Sequence, residues 1–279
     1  MPQLARTRTG WENEHLATHL LSRIAFVAKP ITVSDDIGSD FFCVLFEKRN
    51  DTGIEMLFPL NSFAIQVKSS DGVHDATKNI THLHKLELPF FLGIVSRNDS
   101  EMKIYSGEHL PFLFAHKGNL EKLRFSPCEN AENESDGYVG NDGDYRLTMP
   151  LVTKLSINGT EEEILKIGLK LRELCSRMQR NISSKINDEY IFEYANPSVL
   201  KIFAGCGSYP KFRGNFMRRL AEVFYNLSWV FDHRHADFQL REFEIYERCY
   251  LDLKQNCNAA ATIADEPYKE LKAKLGKIG

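Results

Sequence analysis

The chain has 279 residues, 43% of them hydrophobic and 26% charged, with a formal net charge of −3. Together with 19 Phe and 10 Tyr, that composition excludes a wholly disordered protein and gives no general excess of positive charge for phosphate binding. No stretch is apolar enough for a membrane span or a secretory signal, and Cys43, Cys128, Cys175, Cys206, Cys249 and Cys257 form no C-x-x-C pair. The expectation is a cytoplasmic protein with reduced thiols and no zinc site.

Residues 11–24 read as a helix, because Leu16, Ala17, Leu20, Leu21 and Ile24 recur on one face of a 3.6-residue period. Pro30 and Ser34-Asp35-Asp36 mark a turn. Phe41 to Phe46 is apolar in both alternating sets, as expected of a strand covered on both sides. Asn50 to Gly53 reads as a turn. In Phe63 to Lys68 the residues Phe63, Ile65 and Val67 share one strand face, and Ala64, Gln66 and Lys68 the other. Thr77 to Leu86 reads as a helix. Phe90–Val95 and Met102–Tyr105 read as strands joined by an Arg97-Asn98-Asp99 turn. The order points to an α/β fold with helices on both faces of a mixed sheet.

Residues 128–146 are acidic and rich in Gly and Asn, and read as an exposed connection. Thr160 and Glu163 have capping-box spacing, and Ile164, Ile167, Leu171, Leu174 and Met178 follow a 3/4 spacing that suits a bundle or a partner helix. Residues 215–231 and 236–256 continue a helical pattern. The expected organisation is therefore an α/β domain over 1–127, an acidic linker over 128–154 and a helical domain over 155–279.

Four polar residues carry the chemical argument. Gln66 and Lys68 lie two apart on a strand, on one face, roughly 7 Å apart. Asp40 stands directly before the buried strand, where a carboxylate is well placed to bind a cation. Glu14 lies at one edge of the first helix's apolar stripe and Glu12 at the other, so spacing does not choose between them. Each also has an ordinary explanation: a solvated strand face for Gln66 and Lys68, turn chemistry for Asp40, and the helix dipole for the glutamate.

Taken in order, GWENEHLATHLL, SDDIGSDFFCVLF, FAIQVKSS and, more loosely, LPFFLGIVSRND resemble the PD-(D/E)XK nuclease superfamily. The likeness is to a small bacterial branch with an E…D…Q-x-K pattern, found among defence effectors, and covers residues 10–106. It implies a restriction-endonuclease-like fold and cleavage of phosphodiester bonds, in DNA or alternatively RNA, with Mg²⁺ or Mn²⁺. It implies Asp40, Gln66 and Glu14 as metal ligands and Lys68 beside the attacking water. Gln66 departs from the parent motif, since it stands where many relatives carry a second carboxylate and adds no charge.

A second feature is basic. Lys201, Lys211, Arg213, Arg218 and Arg219 are interleaved with Phe203, Tyr209, Phe212 and Phe216, a composition suited to a nucleic-acid backbone with stacked bases, or to an ordinary surface over an aromatic core. The C-terminal helices are expected to hold substrate, self-associate or bind a regulatory protein. His82 and His84 read as surface or interface residues; His233 and His235, beside Asp232, invite a metal reading but fit a helix break better. The rival reading of the whole chain is a catalytically inactive nucleic-acid-binding or assembly module of the same fold.

Overall fold

The computed structural model describes residues 2–30, 38–51, 53–129, 137–187, 191–195, 200–204, 209–256 and 262–276. The chain divides into two compact units, Met1–Lys185 with Ile191–Gly205, and Ile186–Tyr190 with Cys206–Gly279.

The first unit opens with α1 (Pro2–Leu21), then β1 (Ala25–Ala28), β2 (Phe41–Asp51) and β3 (Ile54–Lys68). The short β4 (His74–Asp75), α2 (Ile80–Lys85), β5 (Phe90–Ser96), β6 (Glu101–Ser106) and α3 (Leu110–His116) follow. Then come β7 (Lys122–Cys128), β8 (Tyr138–Asn141), β9 (Asp144–Ser156) and α4 (Glu161–Ile186), and finally β10 (Ile191–Ala195) and β11 (Leu200–Ala204). Among the described residues the strands form a nine-stranded sheet in the order β1-β2-β3-β5-β6-β9-β7-β4, with β8 paired to β9, and a separate β10-β11 hairpin. β1, β2 and β3 are mutually antiparallel, β3 and β5 run parallel, and so do β7 and β9. The sheet is thus mixed, as the sequence led us to expect.

The alternation of β3 decides which core each residue joins. On one face Phe63 and Ile65, with Phe41, Cys43 and Leu45 of β2, are buried beneath Ala17, Leu20 and Leu21 of α1 and Leu171, Leu174, Cys175 and Met178 of α4. On the other face Ala64 joins Leu92, Tyr105 and Leu147 beneath Leu83 of α2 and Leu110, Leu113 and Phe114 of α3. Burying a large apolar side chain contributes roughly 1.5–3 kcal/mol. A one-residue slip would turn the whole set outward, so this register is strongly specified.

The structure departs from the sequence reading at three places. The first helix begins at Pro2 rather than near residue 11. Most of the expected linker is sheet: β8 and β9 form a hairpin turning at Asp142 and Gly143, with Tyr145, Leu147 and Met149 buried. Acidic residues at the tip of that turn hid a strand pattern on its flanks; residues 130–136 lie outside the described residues. Finally, α4 keeps its capping box, with Thr160 N donating to Glu163 Oε2 at 2.8 Å and Glu163 N to Thr160 Oγ1 at 3.3 Å. Its apolar stripe packs on the sheet, however, and belongs to the first unit.

The second unit is helical, with α5 (Tyr209–His233), α6 (Leu240–Asn256) and α7 (Thr262–Leu275) enclosing Met217, Phe224, Phe243, Tyr250 and Leu271.

Candidate functional site

One end of the sheet gathers most of the residues singled out in the sequence. β1 and β3 run one way and β2 the other, so the last residues of β1 and β3 and the first of β2 share an edge. β5, parallel to β3, ends there too. This edge therefore carries Asp40, Gln66 and Lys68, together with Lys29 just after β1 and Arg97 just after β5.

Asp40 is fixed there by two bonds that bracket Gln66. Its backbone N–H donates to the Ile65 carbonyl at 2.9 Å, and its Oδ2 accepts from the Val67 backbone N–H at 2.5 Å. Paired register with β2 ends at Ile65, so the carboxylate occupies the ladder position that β2 has left. The approach to Asp40 is set by Gly38, whose φ of +75° is strained for any other residue. A Cβ at Gly38 would also lie 2.7 Å from the side chain of Asn79, which precedes α2.

Gln66 is 7% exposed, and no hydrogen bond to its amide is found among the described residues. Its amide is not one of the fully buried polar groups left without a partner, so its oxygen stays accessible at the edge as a candidate ligand. Lys68 is half-buried and makes no ion pair among the described residues. Across the sheet it is in register with Ile94, and Ile94 with Lys103. Lys103 is clamped by Asp71 at 3.2 Å and Glu129 at 2.8 Å, contacts that raise its pKa. His74, on β4, lies close enough to feel Lys68. Burial holds its pKa below the ordinary imidazole value, the Ser70 carbonyl that it contacts at 2.9 Å opposes this, and the Lys68 charge adds to it.

Glu14 reaches the same edge from the opposite face. Its carboxylate is paired with Lys29, while Glu12 pairs with Arg97. The two glutamates that spacing left equivalent thus take partners on either side of β2 and β3. Asp35 and Asp36 lie outside the described residues.

The sequence reading missed two further groups here. Asn13 Oδ1 and Ser39 Oγ are buried and without a hydrogen-bond partner. Asn13 precedes Ala17, Leu20, Leu21 and Ile24 on the same helical stripe, and a polar residue on an apolar stripe is the signal that would have found it. For Ser39 and His74 the sequence carries no comparable signal.

The donor set suits a hard divalent cation only in part. Asp40 and Gln66 offer oxygens, which Mg²⁺ prefers, but Glu14 is engaged by Lys29. Among the described residues, no three His, Cys, Asp or Glu side chains come together as a ligand group.

The basic segment spans both units. Lys201 lies on β11 in the first unit, whereas Lys211, Arg213, Arg218 and Arg219 lie on α5 in the second. Arg213 is half-buried, Arg219 is exposed, and Arg218, also exposed, donates to Asn215 Oδ1 at 3.1 Å. Elsewhere, His84 is exposed, as expected, and packs edge-on against Phe114, whereas His82 is half-buried with its Nε2 buried and without a hydrogen-bond partner.

No family model, no curated protein and no solved structure matches the chain. Among the described residues, no helix is long and apolar enough to cross a membrane.

Proposed function

We propose that the chain is a divalent-metal-dependent endonuclease with a restriction-endonuclease-like core, cleaving phosphodiester bonds in DNA at the sheet edge formed by Asp40, Gln66 and Lys68. The observation that carries this reading is the Asp40 Oδ2 bond to the Val67 N–H. It puts the carboxylate beside the two residues that the E…D…Q-x-K resemblance pairs with it, although Asp40 and Gln66 are 26 positions apart in sequence.

In this reading Asp40 and Gln66 hold the cation, which supplies Lewis-acid stabilisation of the phosphoryl oxygen and the leaving alkoxide when bound. The Val67 N–H keeps the Asp40 carboxylate from rotating away. Lys68 sets its ammonium against a non-bridging oxygen of the substrate and orients the attacking water. Positioned charge of this kind is usually the largest single contribution to a phosphoryl-transfer rate.

The test is incubation of supercoiled plasmid with Mg²⁺ or Mn²⁺, comparing wild type with Asp40→Ala and Lys68→Ala. Nicking by the wild type, reduced at least ~100-fold in both variants, supports the reading; equal nicking by all three removes it. The Glu14–Lys29 pair favours a second reading, a nucleic-acid-binding module without chemistry, since it takes one carboxylate out of the ligand set. Gel-shift binding of the same DNA by all three proteins, with no nicking by any, would establish that alternative.

A further inference from the structure

The outer side of α4 has no role in the reading above. Its inner stripe packs on the sheet, but Leu165 and Leu169, one turn apart beside that stripe, are 57% and 54% exposed. Between them, a Cβ on Gly168 would meet nothing within 4 Å. The two leucines line a cleft of about 800 Å³, completed by Phe46 of β2 and by Leu57 and Leu60 of β3. Arg23 donates to the Ser156 and Gly159 carbonyls, each at 2.5 Å, and so fixes the segment that enters α4. Single exposed leucines are ordinary, whereas two on one helix beside an apolar cleft mark an interaction surface.

The charges on α4 say what fits there. Glu161 and Glu162 precede the leucines and Arg172 follows them, all three exposed and all lining the cleft. At 1.5 Å per residue, Glu161 and Arg172 lie about 8 Å on either side of the midpoint between Leu165 and Leu169. A second α4 laid antiparallel about a twofold axis at that midpoint sets Leu165 of each copy against Leu169 of the other. It also sets the glutamates of each copy opposite Arg172 of the other, with Gly168 at the crossing, where the missing side chain lets the backbones approach. A patch that complements itself in this way is what a twofold interface requires. The present partners of these charges are weak ones. Arg172 stands 3.8 Å from Glu47, whose nearer partner is Arg49 at 3.2 Å. Glu162 meets Lys166 at 2.7 Å across one exposed helical turn, a pair that contributes little. A small apolar ligand would fill the cleft without using the opposed charges.

We infer that the chain forms a twofold homodimer in which α4 of each copy lies antiparallel along α4 of the other, joined by Leu165 and Leu169 and kept in register by Glu161, Glu162 and Arg172. The inference stands apart from the nuclease reading. Phe46 is six residues along β2 from Asp40, roughly 20 Å at strand spacing, so the candidate edge stays open in both copies.

The experiment is sedimentation velocity of the full chain over a wide range of concentration, paired with circular-dichroism melts and native mass spectrometry. The wild type is expected to sediment as a dimer. Leu169→Glu is expected to raise the dissociation constant at least ~30-fold while keeping the wild-type spectrum. Arg172→Glu alone is expected to raise it about tenfold, and combining it with Glu161→Arg and Glu162→Arg, which restores the opposition of charges, to return it to within about threefold of wild type. A wild type that stays monomeric at every concentration overturns the inference, as does a dimer indifferent to both single substitutions. Failure of the reversed charges to restore association overturns the antiparallel pairing. A monomer carrying a small apolar molecule assigns the cleft to a ligand and overturns the inference too. Should Leu169→Glu fail to fold, Arg172→Glu and its charge reversal decide alone.

Discussion

The sheet edge around Asp40 and the cationic stretch of α5 were both read from sequence as functional, and they turn out to be built differently. At the edge, backbone register brings distant residues together. Asp40 is held between Ile65 and Val67, Gln66 lies largely buried beside it, and two ion pairs brace the helix above. On α5 the cations sit along one helix, Lys201 belongs to the other unit, and Arg218 is satisfied by its own neighbour, Asn215.

This contrast predicts unequal consequences of substitution. The largest belong to the edge: Asp40→Ala should cost on the order of 10²–10³ in cleavage rate with little change in DNA affinity, as measured by single-turnover cleavage beside a binding assay. Gly38→Ala acts on the same residue indirectly. It imposes a left-handed backbone on a β-carbon, costing roughly 1–2 kcal/mol, and pushes against Asn79. Both a lowered urea midpoint and reduced cleavage are expected; unchanged cleavage would mean that the turn does not deliver Asp40.

The α5 cations should behave additively. Arg218→Ala and Arg219→Ala are each expected to weaken DNA binding less than about tenfold and to lower the slope of log K against log salt by about 1, leaving the cleavage rate at saturating DNA unchanged. A hundredfold loss of cleavage from either would place α5 in the site and erase the contrast.

Protonation offers another separation. The pKa values of His74, His82 and His84 are lowered from 6.5, chiefly by burial. Unfolded, these groups bind protons more readily, so the stability they contribute is present above about pH 6.5 and is lost as the pH falls through their lowered values. Urea midpoints of the full chain should therefore fall between pH 7 and pH 5. His74→Asn should flatten part of that fall, and an unaltered pH profile in this variant would contradict the burial of His74. The smallest effect is expected at the α4 cap. Thr160→Ala removes an oxygen that accepts from Glu163 N and should cost about 1 kcal/mol in a chemical melt, without altering cleavage.

What could be read in advance follows the range of each interaction. The alternation of Phe63 to Lys68, the doubly apolar start of β2 and the Thr160–Glu163 box are local patterns, and each appears in the structure as read. The layering of helices on two faces of a mixed sheet followed from the order of those patterns. The β8–β9 hairpin did not, because its acidic turn dominates the composition around a short buried set. The packing of α4 on the sheet did not either, since a 3/4 apolar spacing fits a sheet face as well as a second helix. In the site, Asp40, Gln66 and Lys68 could be read from a resemblance, but their connection through the Val67 N–H depends on strand register. Asn13 could have been found as the polar residue on the apolar stripe of α1, whereas Ser39 and the fit of Gly38 against Asn79 depend on contacts between elements that no local pattern encodes.

The central claim is that Asp40 and Gln66 jointly hold a divalent ion, and anomalous diffraction from a Mn²⁺-soaked crystal tests it most directly. The account predicts a single strong anomalous peak within ligating distance of an Asp40 carboxylate oxygen and the Gln66 amide oxygen, lost in Asp40→Ala crystals. A fully soaked crystal with no peak at that strand end, or a peak that survives the substitution, would contradict it.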